Sequence, residues 1–288
     1  MSADGTQDVI RRPSRLRALA ALEVNAQSSA EALDRIAGLA CRVLKARATL
    51  VNLIGADTQQ FVACAGPAEW HEMSEMPVSY GFCPFALGAS ESFAFADART
   101  DPALAANPVV EQFGVIAYAG VPLRAGGGEP VGTLCAIDSR PHEWSADDLA
   151  VLADLGASAI AELQLLAANA RQRARVRSLA ELSRELAPAG CAQEVVERLQ
   201  PVMRQLEATS IWLSVGDSVA GTPPERVPPA PEQPEFVTTR AGSVALLPLG
   251  GGDGVLGVSF ASEHAFTGEE RGYLAALAGI SGLALSRS

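Results

Sequence analysis

Two periodicities alternate along the chain and divide it into helices and strands. Residues 15–22 place Leu16, Leu19 and Leu22 on one side of a short helix. Ser28 and Glu31 have the spacing of a capping box, and the helix they open carries Leu33, Ile36, Leu39, Ala40, Val43 and Leu44 at helical period. The rhythm then changes. Residues 48–54 (ATLVNLI) are short, apolar and β-favouring, as a central strand requires, and 59–64 (QQFVAC) predicts a second strand after the turn at Gly55-Ala56-Asp57. From 66 to 107 the pattern is irregular, with short helical pieces expected around 84–87, a brief strand over 93–96 and one helical turn over 102–107. Residues 115–123 and 131–138 read as a strand pair around Gly126-Gly127-Gly128. A phosphate-binding loop needs a helix after the glycines, and none follows here.

From Ser145, an apt N-cap with Asp147 and Asp148 in the first turn, a helical pattern runs without a strong breaker other than Gly156 as far as Pro188. At about 1.5 Å per residue such a helix is ~60 Å long. Its polar stretch 171–175 reads as an interruption or as a solvated waist. Leu152, Leu155, Ala159, Leu163, Leu166, Val176, Leu179, Leu182 and Leu186 leave one side apolar, more than one small domain can cover, so pairing with the same helix of a second chain is expected.

Self-comparison then shows a repeat. Residues 16–22 recur at 176–182, 31–36 at 194–199, 48–54 at 210–215, Val121-Pro122-Leu123 as Leu247-Pro248-Leu249, and His142-Glu143-Trp144-Ser145 as His264-Ala265-Phe266-Thr267. The matches lie about 160 residues apart in the N-terminal part and about 126 apart in the C-terminal part. The second copy therefore lacks the counterpart of the irregular middle, and a proline-rich stretch over 221–234, expected to be floppy, stands in its place.

Composition narrows the function classes. The net charge is −11, with 33 acidic against 22 basic residues, which disfavours nucleic acid and anionic lipid as partners. Lys45 is the only lysine, a bias that suits a GC-rich bacterial genome. The five cysteines (41, 64, 83, 135, 191) are scattered without metal-site spacing and are expected to be buried, reduced thiols. Residues 1–13 are polar, unlike a secretory signal, and no uninterrupted apolar run has membrane-spanning length, so a cytoplasmic location without a membrane is expected.

The motifs FADARTDP (95–102), NPVV (107–110), AYAGVPL (117–123), GTLCAID (132–138) and PHEWS (141–145) resemble bacterial sensory GAF domains. The 246–249 and 254–258 segments resemble the family more weakly, in the manner of the GAF domain that precedes the catalytic part of SpoIIE-type phosphatases. The resemblance implies an α+β fold of two GAF-like domains, each an antiparallel sheet of five or six strands with helices packed on it, joined by a long helix. The divisions are a disordered tail (1–14), a first GAF domain with a full pocket-lid region (15–145), a connector helix (146–187), and a shortened second GAF domain without the lid (188–288). It implies a signal-transduction regulator, not an enzyme in its own right, in which the first domain senses a small ligand or redox state. The connector and second domain would relay the signal through a homodimer to an output protein such as a phosphatase, kinase or cyclase. No kinase, cyclase or phosphatase metal motif occurs within these residues.

If a small ligand binds, its expected lining is Asn52, Phe61, Cys83, Phe85, Asp97, Tyr118 and Thr133, a mix of apolar walls and a few polar groups. Asp97, Asp101 and Asn107 read first as caps of short turns in the lid. No resident cofactor is expected. Cys83 precedes Pro84 where bilin-binding relatives have histidine, His71 lies in an acidic loop unsuited to haem, and the phosphodiesterase cyclic-nucleotide signature requires a lysine this region lacks. Two alternatives remain: a free methionine-(R)-sulfoxide reductase, for which Cys83 and Cys135 would have to meet in space, and a ligand-free protein adaptor.

Overall fold

A computed structural model describes residues 8–22, 30–240, 242–250 and 254–286. They form two compact units that divide between Gln172 and Arg173. In the first, helices α1 (Pro13–Ala20) and α2 (Ala30–Leu44) precede strands β1 (Ala48–Ile54) and β2 (Thr58–Ala65). The irregular middle contains α3 (Ala68–His71), β3 (Glu75–Pro77), α4 (Cys83–Leu87), β4 (Phe93–Phe95), α5 (Pro102–Ala105) and α6 (Pro108–Phe113), and β5 (Ala117–Arg124) and β6 (Pro130–Asp138) close the sheet. All pairings are antiparallel, in the order β3-β2-β1-β6-β5-β4.

The two-residue period of a strand sends alternate side chains to opposite faces. In β1 and β6, Val51, Leu53, Leu134 and Ala136 enter the core under the helices, whereas Leu50, Ile54, Cys135 and Ile137 enter a second core on the other face. Both faces are therefore covered, and β1 is buried at all seven positions. A bulge between Val51 and Asn52 turns both Val62 and Ala63 of β2 toward the helices and keeps Gln59 and Phe61 on the other side.

The tail expected over 1–14 meets the structure only in part, since residues 1–7 lie outside those described. From Asp8 the chain is placed, and Ile10 is buried. The cause is Arg15, itself fully buried. Its Nε donates to the Ile10 carbonyl (3.0 Å), Nη1 to Ile54 (2.6 Å) and Nη2 to Gly55 (3.1 Å), which clamps the N-terminal segment to the β1–β2 turn. The Ser28 cap falls outside the described residues.

Helix α7 (Ala146–Leu186) runs unbroken through Gly156 and the 171–175 stretch. Its start is a reciprocal box: Ser145 Oγ accepts from the Asp148 amide (3.1 Å), and Asp148 Oδ2 accepts from the Ser145 amide (2.9 Å). By length and composition α7 is the one described helix apolar enough to cross a membrane. Leu152, Ala159, Leu163 and Ala167 along it are nevertheless buried in the helix-side core of the first unit, and Leu182 and Leu186 in that of the second. The expected connector is thus part of both cores. Leu163 and Leu182 are already used by their own chain, and the large apolar residues that stay exposed on the helix are Leu165 (55%) and Val176 (59%).

The second unit continues with α8 (Ala192–Gln205), β7 (Ser210–Val215), β8 (Ser218–Gly221), β9 (Glu235–Thr239), β10 (Gly242–Pro248), β11 (Gly254–Phe260) and α9 (Gly268–Leu285). Its antiparallel order, β8-β7-β11-β10-β9, is that of the first sheet without β3. Residues 222–234 form neither helix nor strand. Thr267 caps α9 by accepting from the Glu270 amide (3.2 Å), as Ser145 caps α7. Of the cysteines, 64, 83 and 135 are buried as expected; Cys41 is half-buried, and Cys191 is exposed because it sits at the solvent-facing N-terminus of α8.

Candidate functional site

The side of the first sheet away from α2 and α7 carries the irregular middle as a lid. Beneath it lies a cavity of about 20 Å³, room for one water-sized molecule. Phe61, Trp70, Phe82 and Tyr118 form aromatic walls, and Cys83 and Cys135 lie on opposite sides of the lid–sheet junction. No Asp, Glu, Lys, Arg or His stands in the lining. The lid is sewn to the sheet by amides. Asn52 Oδ1 accepts from the Thr133 amide (3.1 Å) and hydroxyl (2.5 Å), while its Nδ2 donates to Gln59 Oε1 (2.9 Å). Gln59 Nε2 in turn donates to the lid carbonyl of Tyr80 (2.6 Å). Asn107 grips the next lid residue from both sides: Oδ1 accepts from the Gly81 amide (3.0 Å) and Nδ2 donates to the Gly81 carbonyl (2.9 Å).

The GAF domain family matches residues 29–163, which span this sheet, lid and cavity. The first unit holds a GAF domain. A cyclic di-GMP phosphodiesterase of Pseudomonas aeruginosa is 28% identical over 138 residues, 47% of this chain and 23% of that protein, so the chain spans less than a quarter of that relative's length. Among solved structures, the GAF domain of an Acinetobacter phosphoenolpyruvate-protein phosphotransferase shares 17% identity with a TM-score of 0.40, covering 56% of this chain and 97% of its own. A type II free methionine-R-sulfoxide reductase from Thermoplasma acidophilum shares 20% identity with a TM-score of 0.37, covering 47% and 95%.

Of the seven expected lining residues, the GAF cavity brings together Phe61, Cys83 and Tyr118. Asn52 and Thr133 are fully buried in the sheet and hold the lid through Gln59 rather than line the space. Phe85 stacks on Phe93 (centroids 5.6 Å) outside the lining. Asp97 caps the 3₁₀ turn Ala98–Thr100 and pairs with Arg99 (2.7 Å), whose guanidinium holds its carboxyl below the usual range. The scaffold reading of Asp97, Asp101 and Asn107 holds: each caps the turn that follows. Most of the lining was not expected from the sequence, Gln59, Trp70, Met76 and Phe82 among it. Gln59 was legible, since it sits two positions before Phe61 and so shares its face of the strand. His71 bonds only the Gly66 carbonyl (3.2 Å).

Two polar features stand out in this apolar space. Tyr118, 1% exposed, has no hydrogen-bond partner for its hydroxyl, and burial pushes its pKa well up. Its ring lies across Gly120, where a Cβ would come within 2.3 Å of the hydroxyl, so the backbone can accept that ring only as glycine. Cys83 Sγ and Cys135 Sγ are 3.7 Å apart. The Cys135 thiol favours a thiolate on Cys83 and outweighs burial, which lowers Cys83 to about 7 and raises Cys135.

Proposed function

We propose that the chain is a regulatory module in which the GAF cavity receives a small uncharged input and passes it on through α7. The observation that carries this is the cavity itself: uncharged aromatic walls, a buried Tyr118 hydroxyl without a partner, and a lid hydrogen-bonded to the central strands. A ligand that supplies an acceptor to Tyr118 must move the lid, because the space now holds only one water-sized molecule. A signal then requires that ligand to bind one lid arrangement more tightly than the other. In this reading the second unit is a GAF copy that has lost its lid, which its strand order supports. It serves relay or pairing, the protein is cytoplasmic, and the output belongs to a partner such as a phosphatase, kinase or cyclase. The Pseudomonas relative, in which the matching segment is under a quarter of a much larger protein, is consistent with such a regulatory portion.

Homodimerisation through α7 belongs to the same proposal. Leu165 and Val176 are three helical turns apart and lie on one side of it, exposed. Light scattering should give a dimer mass for the full chain and a lower mass for Leu165→Ser/Val176→Ser; equal masses remove the dimer from the reading. For the input, native mass spectrometry with an absorbance spectrum on the same sample should show a retained neutral molecule, or else a screen of uncharged aromatics should raise the melting temperature. A chain that retains nothing and responds to nothing is an adaptor instead.

The Cys83–Cys135 contact favours one other reading, turnover of free methionine sulfoxide. Against it, that substrate carries an ammonium and a carboxylate, and the lining offers neither a counter-charge. Turnover abolished by Cys83→Ala would establish the enzyme.

A further inference from the structure

Cys83 is the first residue of a lid helix, and Cys135 lies in the middle of β6, 52 residues away and wholly buried. Their sulfurs are already in contact at 3.7 Å, and a disulfide needs ~2.05 Å, a closure of under 2 Å that side-chain rotation and a slight lid shift supply. Cys135 has no rival partner on the sheet. Cys64 faces the same side, but both pair with Leu50 from opposite flanks, so they stand two strand spacings apart, ~9–10 Å, beyond disulfide reach.

We propose that Cys83 and Cys135 form a reversible dithiol–disulfide site that is oxidised by a small uncharged hydroperoxide entering the GAF cavity. This rests on the reading of that cavity as the place where the input arrives. The size and chemistry of the space select the oxidant: one water-sized molecule fits, and nothing charged is welcomed. Cys83 lines the cavity from the lid and is the sulfur on which negative charge is favoured, so it attacks. Its thiolate forms a bond to one peroxide oxygen, the O–O bond breaks, and the leaving alkoxide or hydroxide takes up the proton that Cys83 released, giving alcohol or water and a sulfenic acid. Cys135 sulfur then attacks the sulfenic sulfur. The S–S bond forms, the S–O bond breaks, and hydroxide leaves with the Cys135 proton as water. Two thiols lose two electrons to one peroxide, and a dithiol reductant returns them. The crosslink pins the lid to β6, so oxidation and ligand binding act on the same hinge.

The test uses the full chain, reduced, then treated with one equivalent of hydrogen peroxide, quenched by alkylation and mapped by mass spectrometry. The expected product is an intramolecular Cys83–Cys135 peptide, two hydrogens lighter than the reduced pair and lost on treatment with dithiothreitol. Cys135→Ser should stop at a sulfenic acid on Cys83 that dimedone traps, Cys83→Ser should give neither, and Cys64→Ser should behave as wild type. Melting curves on each variant confirm that it is folded, and the wild-type map stands without them. Cys83 and Cys135 both alkylated while exposed Cys191 oxidises would overturn the proposal. Thiols that stay reduced under peroxide, in a chain whose melting temperature a neutral ligand still raises, would also overturn it while leaving the regulatory reading intact. Conversely, a disulfide that forms without changing hydrogen exchange beyond the lid supports the site and counts against the relay.

Discussion

Replacing Tyr118 by phenylalanine should stabilise the protein. The ring is 1% exposed and packed edge-on against Phe82 (centroids 5.7 Å) and stacked with Phe95 (5.9 Å), contacts that phenylalanine keeps. What it removes is one hydroxyl taken out of water without a partner. Such a group costs about 1–3 kcal/mol. Part of that cost is recovered, and a gain of about 1 kcal/mol is expected. For a unit of this size it corresponds to a rise in melting temperature of about 2–4 °C. Thermal unfolding followed by circular dichroism reads the shift, and urea unfolding with an unchanged slope checks that only stability moved. The same substitution should erase any stabilisation by a ligand that accepts from the hydroxyl. A loss of 1 kcal/mol or more would refute the reasoning, because it would mean that the hydroxyl is already bonded in the resting protein.

Other substitutions test the stitching of the lid. Asn52→Leu strands the Thr133 amide and the Gln59 carbonyl oxygen in the core and should cost about 3 kcal/mol, read as a lower urea midpoint. Asn107→Ala removes both bonds to Gly81 and the cap of α6. It should cost about 1–2 kcal/mol and speed hydrogen exchange at Gly81 and Val109 while leaving β1 protected. Gly120→Ala forces a Cβ into the Tyr118 ring and should destabilise by about 1–3 kcal/mol in both the wild-type and the Tyr118→Phe background, since ring carbons are also within 3 Å. Asp148 is held below the usual carboxylate range by Ser145. Its contribution is therefore present above the unfolded-state value of about 4 and is lost as pH falls through the lowered one. Asp148→Asn should flatten that acid limb in a helicity titration.

How far the sequence could be read depends on where burial imposes a period. The boundaries of β1 agree residue for residue with the run 48–54, because the strand is buried on both faces and its burial stops at exposed Arg47 and half-buried Gly55. The α7 cap was equally plain, since Ser145 and Asp148 stand three apart. The lid was not. The three-residue strand Glu75–Pro77 is too short for any period, and α3 and α6 are helices of four and six residues started by a cap or a proline rather than by an apolar stripe. For the site, the structure brings Cys83, Phe61 and Tyr118 of the expected residues together at the cavity. Asn52, Thr133, Asp97 and Phe85 stand outside that lining, and a polar residue in a strand or a turn looks the same in sequence whether it faces a cavity or satisfies its neighbours. The pairing of Cys83 with Cys135 depends on the lid folding back over β6, a contact across 52 residues that no local pattern announces.

The divided allegiance of α7 has a consequence for how such chains can be cut and recombined. A break at 145, where the motifs of the first domain end, would strip its sheet of Leu152, Ala159, Leu163 and Ala167 and leave an open apolar face. A break at 187 would carry away Leu182 and Leu186 from the other core. The stretch from 168 to 174 is exposed at every position and contributes to neither. The exchangeable cassette therefore ends in the middle of a helix and not at a loop, and a graft onto a different partner keeps both cores whole only if it is spliced there.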